Sequence, residues 1–189
     1  MNLSRNSSDF DRLQQAVKVI DEIILNPGQG LTDDLFYLVS RLTPLINVDL
    51  LVVNSNDEKL MSWRSDSHYG PGWHIPGGIV RFKEKWEDRI RLVAQQELGI
   101  QVKCNDEPIL ITQIFSKTRD VRGHFISMLF QCTPTEDLDR LKFASESNHA
   151  ISGELFWFSK MPYNTIEQHL RFRSTFDAAK YKGISDVSK

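Results

Sequence analysis

Residues 73–100 constrain the fold more than any other part of this chain. A short apolar segment that begins at Trp73 leads into a Pro-Gly-Gly turn, and a helical pattern then runs through residues 84–98 until Gly99 ends it. Glycine supplies the backbone freedom that a tight turn and a helix end both need. This order predicts a strand, a turn and an amphipathic helix in direct succession.

Glu97 is the anomaly of the predicted helix. On a helical wheel of about 100° per residue it falls within an apolar stripe. The stripe consists of Trp86, Ile90, Val93 and Ala94. A carboxylate on the apolar side, near the C-terminus where the helix dipole repels negative charge, is costly without a partner. We favour a metal-binding role for Glu97, because hard cations prefer oxygen ligands; a frayed last turn that lets it reach solvent is the alternative.

Helical and β-rich segments fill the rest of the chain. Helices are predicted at residues 10–24, 35–42 and 164–180, where apolar residues recur three and four apart. Strands are predicted at residues 46–53, 59–64, 73–75, 109–115, 124–132 and 155–158, which are rich in β-branched and aromatic residues. Residues 54–57 form a turn, so we expect the first two strands to pair as a hairpin.

Strands around a central helix, with further helices at both ends, predict an α/β fold in which a mixed β-sheet is sandwiched between helices. The 189 residues suffice for one domain with some extra elements. We expect that domain at residues 43–189, with residues 1–42 forming an N-terminal helical hairpin packed on its core. The apolar face of the hairpin must be covered by that core or by a second subunit, and we expect a homodimer.

Composition excludes several classes of protein. The net charge of −2 and the scattered Lys and Arg residues argue against a nucleic-acid partner. No apolar stretch is long enough to span a bilayer, and the polar start of the chain lacks the apolar run of a signal peptide. Cys104 and Cys132 are expected to be two thiols on strands rather than a disulfide or a zinc site, which places the protein in the cytoplasm.

Residues 78–100 resemble the Nudix box, G-x5-E-x7-R-E-U-x-E-E-x-G-U, the signature of the Nudix hydrolase superfamily. The matching positions are Gly78, Glu84, Glu97, Gly99 and Ile100. The altered positions are Leu92, Val93 and Gln96. The resemblance implies a Nudix fold that binds Mg2+ and a diphosphate. Because the altered Glu positions normally bring metal and an activated water to the diphosphate, their loss argues against ordinary attack on phosphorus.

The GDP-mannose mannosyl hydrolase branch of this superfamily resembles the chain over residues 42–158. The resemblance implies that Glu97, the Gly77 carbonyl and the Asn148 amide hold Mg2+. It also implies that Arg64 contacts the leaving diphosphate and that His149 acts as general base. The sequence carries these residues at a strand end, in the Pro-Gly-Gly turn, in the box and in a polar loop.

Two further residues are candidates for substrate binding. Asp49 lies inside an apolar strand, where a charge is costly unless it is paired; binding substrate and pairing with an Arg are equally open roles. Arg81 stands close to Ile79, which occupies a position where the mannosyl hydrolase branch carries an arginine. Arg81 therefore substitutes for that arginine in our interpretation.

We expect the protein to hydrolyse a nucleoside diphosphate sugar, such as a GDP-mannose-like substrate, with water attacking the anomeric carbon. Glu97, Arg64 and His149 are the expected catalytic residues. Two alternatives stay open. One is conventional nucleoside diphosphate pyrophosphohydrolysis, and the other is a non-catalytic nucleotide-binding domain.

Overall fold

A computed structural model of the protein describes residues 7–66, 69–136, 138 and 141–183. Two helices open the chain, α1 (Ser7–Ile23) and α2 (Asp33–Leu42), and a 3-10 turn at Pro27–Gln29 lies between them. Both helices were expected from the periodicity of the N-terminal segment. The described part of the chain contains no helix that is long and apolar enough to cross a membrane.

Strands and further helices follow these two helices. The strands are β1 (Leu45–Val52), β2 (Lys59–Arg64), β3 (Gly72–His74), β4 (Gly77–Ile79), β5 (Val102–Cys104), β6 (Leu110–Phe115), β7 (His124–Pro134) and β8 (Leu155–Phe158). The central helix α3 (Trp86–Val93) continues directly into a π-helical turn at Ala94–Leu98. A 3-10 helix at Glu167–Phe172 and α4 (Arg173–Ala178) close the described chain.

The strands form two sheets rather than one. In the larger sheet the order is β4-β1-β7-β5, β6 also pairs with β7, and only the β1–β7 pair is parallel. The smaller sheet has the antiparallel order β3-β2-β8. The expected hairpin of β1 and β2 is therefore wrong, because the two strands separate into different sheets after a single bridge between Val53 and Lys59.

Strand β1 shows how the larger sheet is covered on both faces. Val48, Leu50 and Val52 pack with the apolar side of α3 in one core cluster. Leu51 packs on the opposite face, in a second cluster that includes Phe172 and Phe176 from the C-terminal helices. Alternating side chains of a strand point to opposite faces. The expected α/β architecture, a mixed sheet between helices, is confirmed.

The strand–turn–helix predicted at residues 73–100 is present, with three differences. Gly77–Ile79 is not only a turn but strand β4, whose Gly77 lies opposite Asp49 of β1. A Cβ at Gly77 would lie 2.8 Å from the Val48 carbonyl oxygen, so this close pairing requires glycine. The helix begins at Trp86 rather than at residue 84, and its last turn is π-helical instead of α-helical.

Two other expectations need correction. The C-terminal segment forms a 3-10 helix and a short α4 instead of one helix over residues 164–180. Cys104 and Cys132 form a disulfide rather than two free thiols. They are register partners on β5 and β7 with Cα atoms 3.9 Å apart, a pairing across strands that the separation of 28 residues did not reveal. We had placed the protein in the reducing cytoplasm because we expected free thiols, and the disulfide removes that argument.

The two N-terminal helices differ in how much surface they bury. Residues of α2 and the segment before it contact the domain, since Ser40 Oγ accepts a hydrogen bond from the Arg122 N–H at 3.0 Å and the Gln29 carbonyl accepts one from Arg81 at 2.6 Å. In α1, by contrast, the apolar side chains Phe10, Leu13 and Val17 are about half exposed. The apolar face of α1 is thus left uncovered.

Candidate active site

A cavity of about 160 Å³ lies where both sheets, the π-helical turn and the C-terminal 3-10 helix meet. Four of the residues expected from the sequence line it together: Asp49, Arg64, Gly77 and Glu97. Further polar residues that share the cavity are Asn47, Tyr69, His74, Arg122, Gln168 and His169. The fold thus gathers charges of both signs from segments that are far apart in the sequence.

Asp49 is the most buried carboxylate of the cavity, with only 1% of its surface exposed. Ser127 Oγ donates a short hydrogen bond to it, and the Asn47 side chain also bonds it. Burial nevertheless raises the pKa of Asp49 to about 7, with a smaller contribution from the negative charge of Glu97. A carboxyl with such a pKa can exchange a proton near neutral pH.

His169 faces Asp49 from the 3-10 helix, with its Nε2 atom 3.8 Å from Asp49 Oδ1. Its Nδ1 atom accepts the backbone N–H of Ile75 at 2.9 Å. Because Nδ1 is the acceptor, a neutral ring carries its proton on Nε2, toward Asp49. Burial, together with the nearby charges of His74 and Arg64, lowers the pKa of His169 well below its usual 6.5. The imidazole is therefore neutral at physiological pH.

Glu97 reaches the cavity from the π-helical turn and lies 3.2 Å from His74 Nε2. Its side chain is 34% exposed, so our expectation that it lies buried in the apolar stripe is wrong. The wide turn explains the difference, since Ala94 and Leu98 occupy the core positions and Glu97 is rotated out. His74 Nδ1 is buried without a hydrogen-bond partner among the described residues.

Arg64 contributes the positive charge of the cavity at the end of β2. Its Nε donates to Asp66 Oδ2 at 2.5 Å, and its guanidinium lies 5.2 Å from the centre of the Tyr69 ring. An arginine held by a carboxylate and an aromatic ring has its planar fork already oriented. A planar fork of this kind suits the oxygens of a phosphate group.

The structure places three of the expected site residues away from this cavity. His149 is 76% exposed and bonds Glu146 at 2.9 Å, and Asn148 is exposed beside it. Arg81 lines a separate cavity of about 440 Å³ next to the N-terminal segment, because its guanidinium donates to the Gln29 carbonyl. The residues that sequence reasoning missed are His74 and His169.

Glu84, the other carboxylate of the box, does not line this cavity. Its Oε2 accepts hydrogen bonds from Arg89 Nε at 2.9 Å and from the Arg81 backbone N–H at 2.8 Å. Arg89 Nη2 lies 2.8 Å from the same oxygen. Glu84 therefore ties the loop in front of α3 to the helix, through its ion pair with Arg89 and its hydrogen bond to the Arg81 backbone.

The oxygen atoms that line the cavity could supply only part of the coordination shell of Mg2+. In the described ranges no three His, Cys, Asp or Glu side chains come together as a metal cage. The half-open Glu97 carboxylate and the Gly77 backbone border the cavity and could hold the cation. Mg2+ is commonly held by one or two carboxylates while substrate phosphates and waters complete its shell. The donor set fits that arrangement.

No protein-family model matches the chain. The low-salt glycan biosynthesis protein Agl8 of Haloferax volcanii is 29% identical over 115 residues, which are 59% of this chain and 72% of Agl8. A MutT Nudix hydrolase from Burkholderia pseudomallei superimposes with a TM-score of 0.52 at 15% identity, over 77% of this chain and 99% of that one. A UDP-X diphosphatase gives a TM-score of 0.51 at 15% identity, over 92% and 82% of the two chains. The chain has the Nudix fold.

Proposed function

We propose that this Nudix-fold protein is a Mg2+-dependent hydrolase of nucleoside diphosphate derivatives. The observation that carries the proposal is the convergence of Glu97, Asp49, His169 and Arg64 on one cavity. A carboxylate for a cation, an arginine for phosphate oxygens and a carboxyl with a near-neutral pKa are the groups that such a hydrolysis needs. The similarity of the fold to Nudix hydrolases supports this reading.

Each residue is assigned a role by its position. Glu97 and the Gly77 carbonyl would hold the cation, and His74 orients the Glu97 carboxylate through their contact at 3.2 Å. When bound, Mg2+ would supply Lewis-acid neutralisation of the leaving diphosphate. Arg64 adds a positive charge to the lining of the same cavity. Asp49 accepts the proton of the attacking water, and the neutral His169 ring lies beside it, with Nε2 3.8 Å from Asp49 Oδ1.

We further propose that the substrate is a nucleoside diphosphate sugar of the GDP-mannose type and that water attacks its anomeric carbon. Glu97 is the only box carboxylate that lines the cavity in the described structure, since Glu84 lies outside it and is bonded to Arg89. The other Glu positions of the box carry Val93 and Gln96. One metal-binding carboxylate suffices to neutralise a leaving diphosphate, but delivering hydroxide to phosphorus commonly takes more metal. The name of Agl8, a glycan biosynthesis protein, also supports a sugar substrate.

Turnover in oxygen-18 water tests the bond that breaks. The protein is incubated with Mg2+ and a panel of nucleoside diphosphate sugars, and the products are weighed by mass spectrometry. We expect the label in the released sugar and not in the phosphate. Free sugar incubated in the same water is the control, because the anomeric oxygen exchanges slowly by itself.

The other outcomes of this experiment discriminate the alternatives. Label in the phosphate would assign the protein to conventional pyrophosphohydrolysis. Tight nucleotide binding without turnover of any substrate would instead favour a non-catalytic binding domain. Either result would contradict attack at the sugar carbon.

We also propose a homodimer, with α1 in the interface. Phe10, Leu13 and Val17 lie on this helix with about half of their surface exposed, and an uncovered apolar stripe of this kind is typical of an interface. Light scattering at micromolar concentration is expected to give twice the mass of one chain. A Leu13→Glu variant should give monomers, and a monomeric wild-type protein would refute the dimer.

A further inference from the structure

The cavity described above is too small to hold a nucleotide derivative alone. Its volume is about 160 Å³, whereas pockets for small organic ligands generally measure roughly 300–1,000 Å³. A second chamber of about 340 Å³ adjoins it, and Tyr69, Ile114, Arg122 and Phe125 line both spaces. The two chambers therefore form one cleft, and a ligand larger than the first chamber has room to extend into the second.

The second chamber is strongly positive. Its cationic lining residues are Lys117, Arg119, Arg122 and Arg171, which come from the β6–β7 connection and the 3-10 helix. Glu167 is the carboxylate that lines it. Among the described residues, none of the four cations has a carboxylate within ion-pair distance. Unneutralised cations that share a confined space favour an anionic ligand.

Tyr69 contacts two of these arginines. The guanidinium of Arg119 lies 4.2 Å from the centre of the Tyr69 ring, and that of Arg122 lies 5.3 Å from it. The Arg64 guanidinium lies 5.2 Å from the centre of the same ring, so three guanidiniums contact this one tyrosine. The ring offsets part of their mutual repulsion, and an anion between them would offset the rest.

Arg122 is held ready for such a ligand. Its backbone has a φ of 51°, an unusual value for a residue other than glycine. The Tyr69 hydroxyl donates to its carbonyl at 2.7 Å and Ser40 Oγ accepts its N–H at 3.0 Å, which fixes that conformation. The side-chain Nε is buried and has no hydrogen-bond partner in the part of the chain that the structure describes. The fixed backbone keeps Arg122 in the lining of both chambers, where its guanidinium can contact an anion.

We propose that the second chamber binds a further anionic group of the substrate, beyond the diphosphate at the first chamber. This inference rests on the proposed function for the place of the diphosphate. The group is a phosphate or a carboxylate, since both match the planar donors of Arg119 and Arg122. The substrate class is thus a nucleoside diphosphate derivative with an additional negative charge, such as a third phosphate or an acidic sugar.

Binding measurements with matched probes test this assignment without turnover. Calorimetry compares UDP-glucose with UDP-glucuronate, which differ by one carboxylate, and a nucleoside diphosphate with its triphosphate. We expect the more anionic member of at least one pair to bind roughly tenfold tighter or more, the effect of one charge-assisted contact. The pair that shows the preference identifies carboxylate or phosphate as the ligand group.

Variants at the chamber complete the test. The double variant Arg119→Gln/Arg171→Gln, at two residues that line the second chamber and not the first, should remove most of the preference and leave the affinity for the less anionic probe unchanged. The exposed Arg91→Gln serves as matched control. Equal affinities within both pairs for the wild type, undetectable binding of the anionic probes, or equal losses for both members in the variant would overturn the proposal. A preference without any hydrolysis would instead refute the proposed enzyme and keep the anion site.

Discussion

A Glu97→Gln variant is expected to lose Mg2+-dependent turnover of nucleoside diphosphate sugars, with kcat/KM falling roughly a thousandfold. The neutral amide keeps the shape of the side chain but cannot supply the charge that draws a cation into the cavity. The fold should persist, since Glu97 is one-third exposed and lies at a helix C-terminus that disfavours its charge. Steady-state kinetics over a Mg2+ titration and a thermal melt measure the two effects.

Glu87→Gln is the matched control for this variant, because Glu87 lies exposed on the first turn of the same helix α3. We expect its kinetics and its Mg2+ dependence to equal those of the wild type. Normal turnover and Mg2+ dependence in the Glu97 variant would show that Glu97 is structural, and the site assignment would then be incorrect.

An Asp49→Asn variant should be more stable and much less active than the wild type. The pKa of Asp49 is raised to about 7 from its usual 3.8, so the folded state favours the protonated form and the unfolded state the ionised one. The free energy of unfolding therefore falls as pH rises between these values, and the penalty is complete above the folded pKa. Removing the ionisable group should restore up to roughly 4 kcal/mol at about pH 8 and almost nothing at about pH 4.

Chemical denaturation in EDTA at several pH values measures this gain, and kinetics should show a loss of roughly a hundredfold or more if Asp49 takes the proton from water. Asp106→Asn, at an exposed position, serves as control and should change neither quantity. A gain in stability that does not depend on pH would contradict the raised pKa of Asp49.

A His149→Ala variant tests the alternative general base. A loss of about a hundredfold in rate, the usual size for a lost general base, would assign that role to His149 instead of Asp49.

The strand–turn–helix was predictable because its signals are local. The Pro-Gly-Gly turn, the apolar stripe of α3 and the terminating Gly99 lie within one short stretch and specify their conformations through neighbouring residues. The pairing of β1 was not predictable in the same way. A turn at residues 54–57 suggested a hairpin, yet β1 pairs with β7, about 80 residues away in the chain, because its two apolar faces need a central position.

The site was only partly predictable for the same reason. Glu97 and Arg64 were found through their motif positions. Asp49 and His169 are neighbours in space, but most of the length of the chain separates them in sequence. An isolated histidine near the C-terminus carries no sequence signal for that contact. The helical wheel placed Glu97 in the core because it assumes α-helical spacing throughout, and a single π-helical turn invalidates that assumption.

The disulfide between Cys104 and Cys132 converts the intervening chain into a covalent ring. The ring contains β6, most of β7 and the connection that carries Lys117, Arg119 and Arg122. If β5 or β6 opens by local unfolding, the disulfide keeps the two ends of this segment joined. Refolding of the segment therefore costs less conformational entropy than it would in an open chain. The positive lining of the cleft therefore lies on a segment whose local unfolding is limited by a covalent bond between its ends.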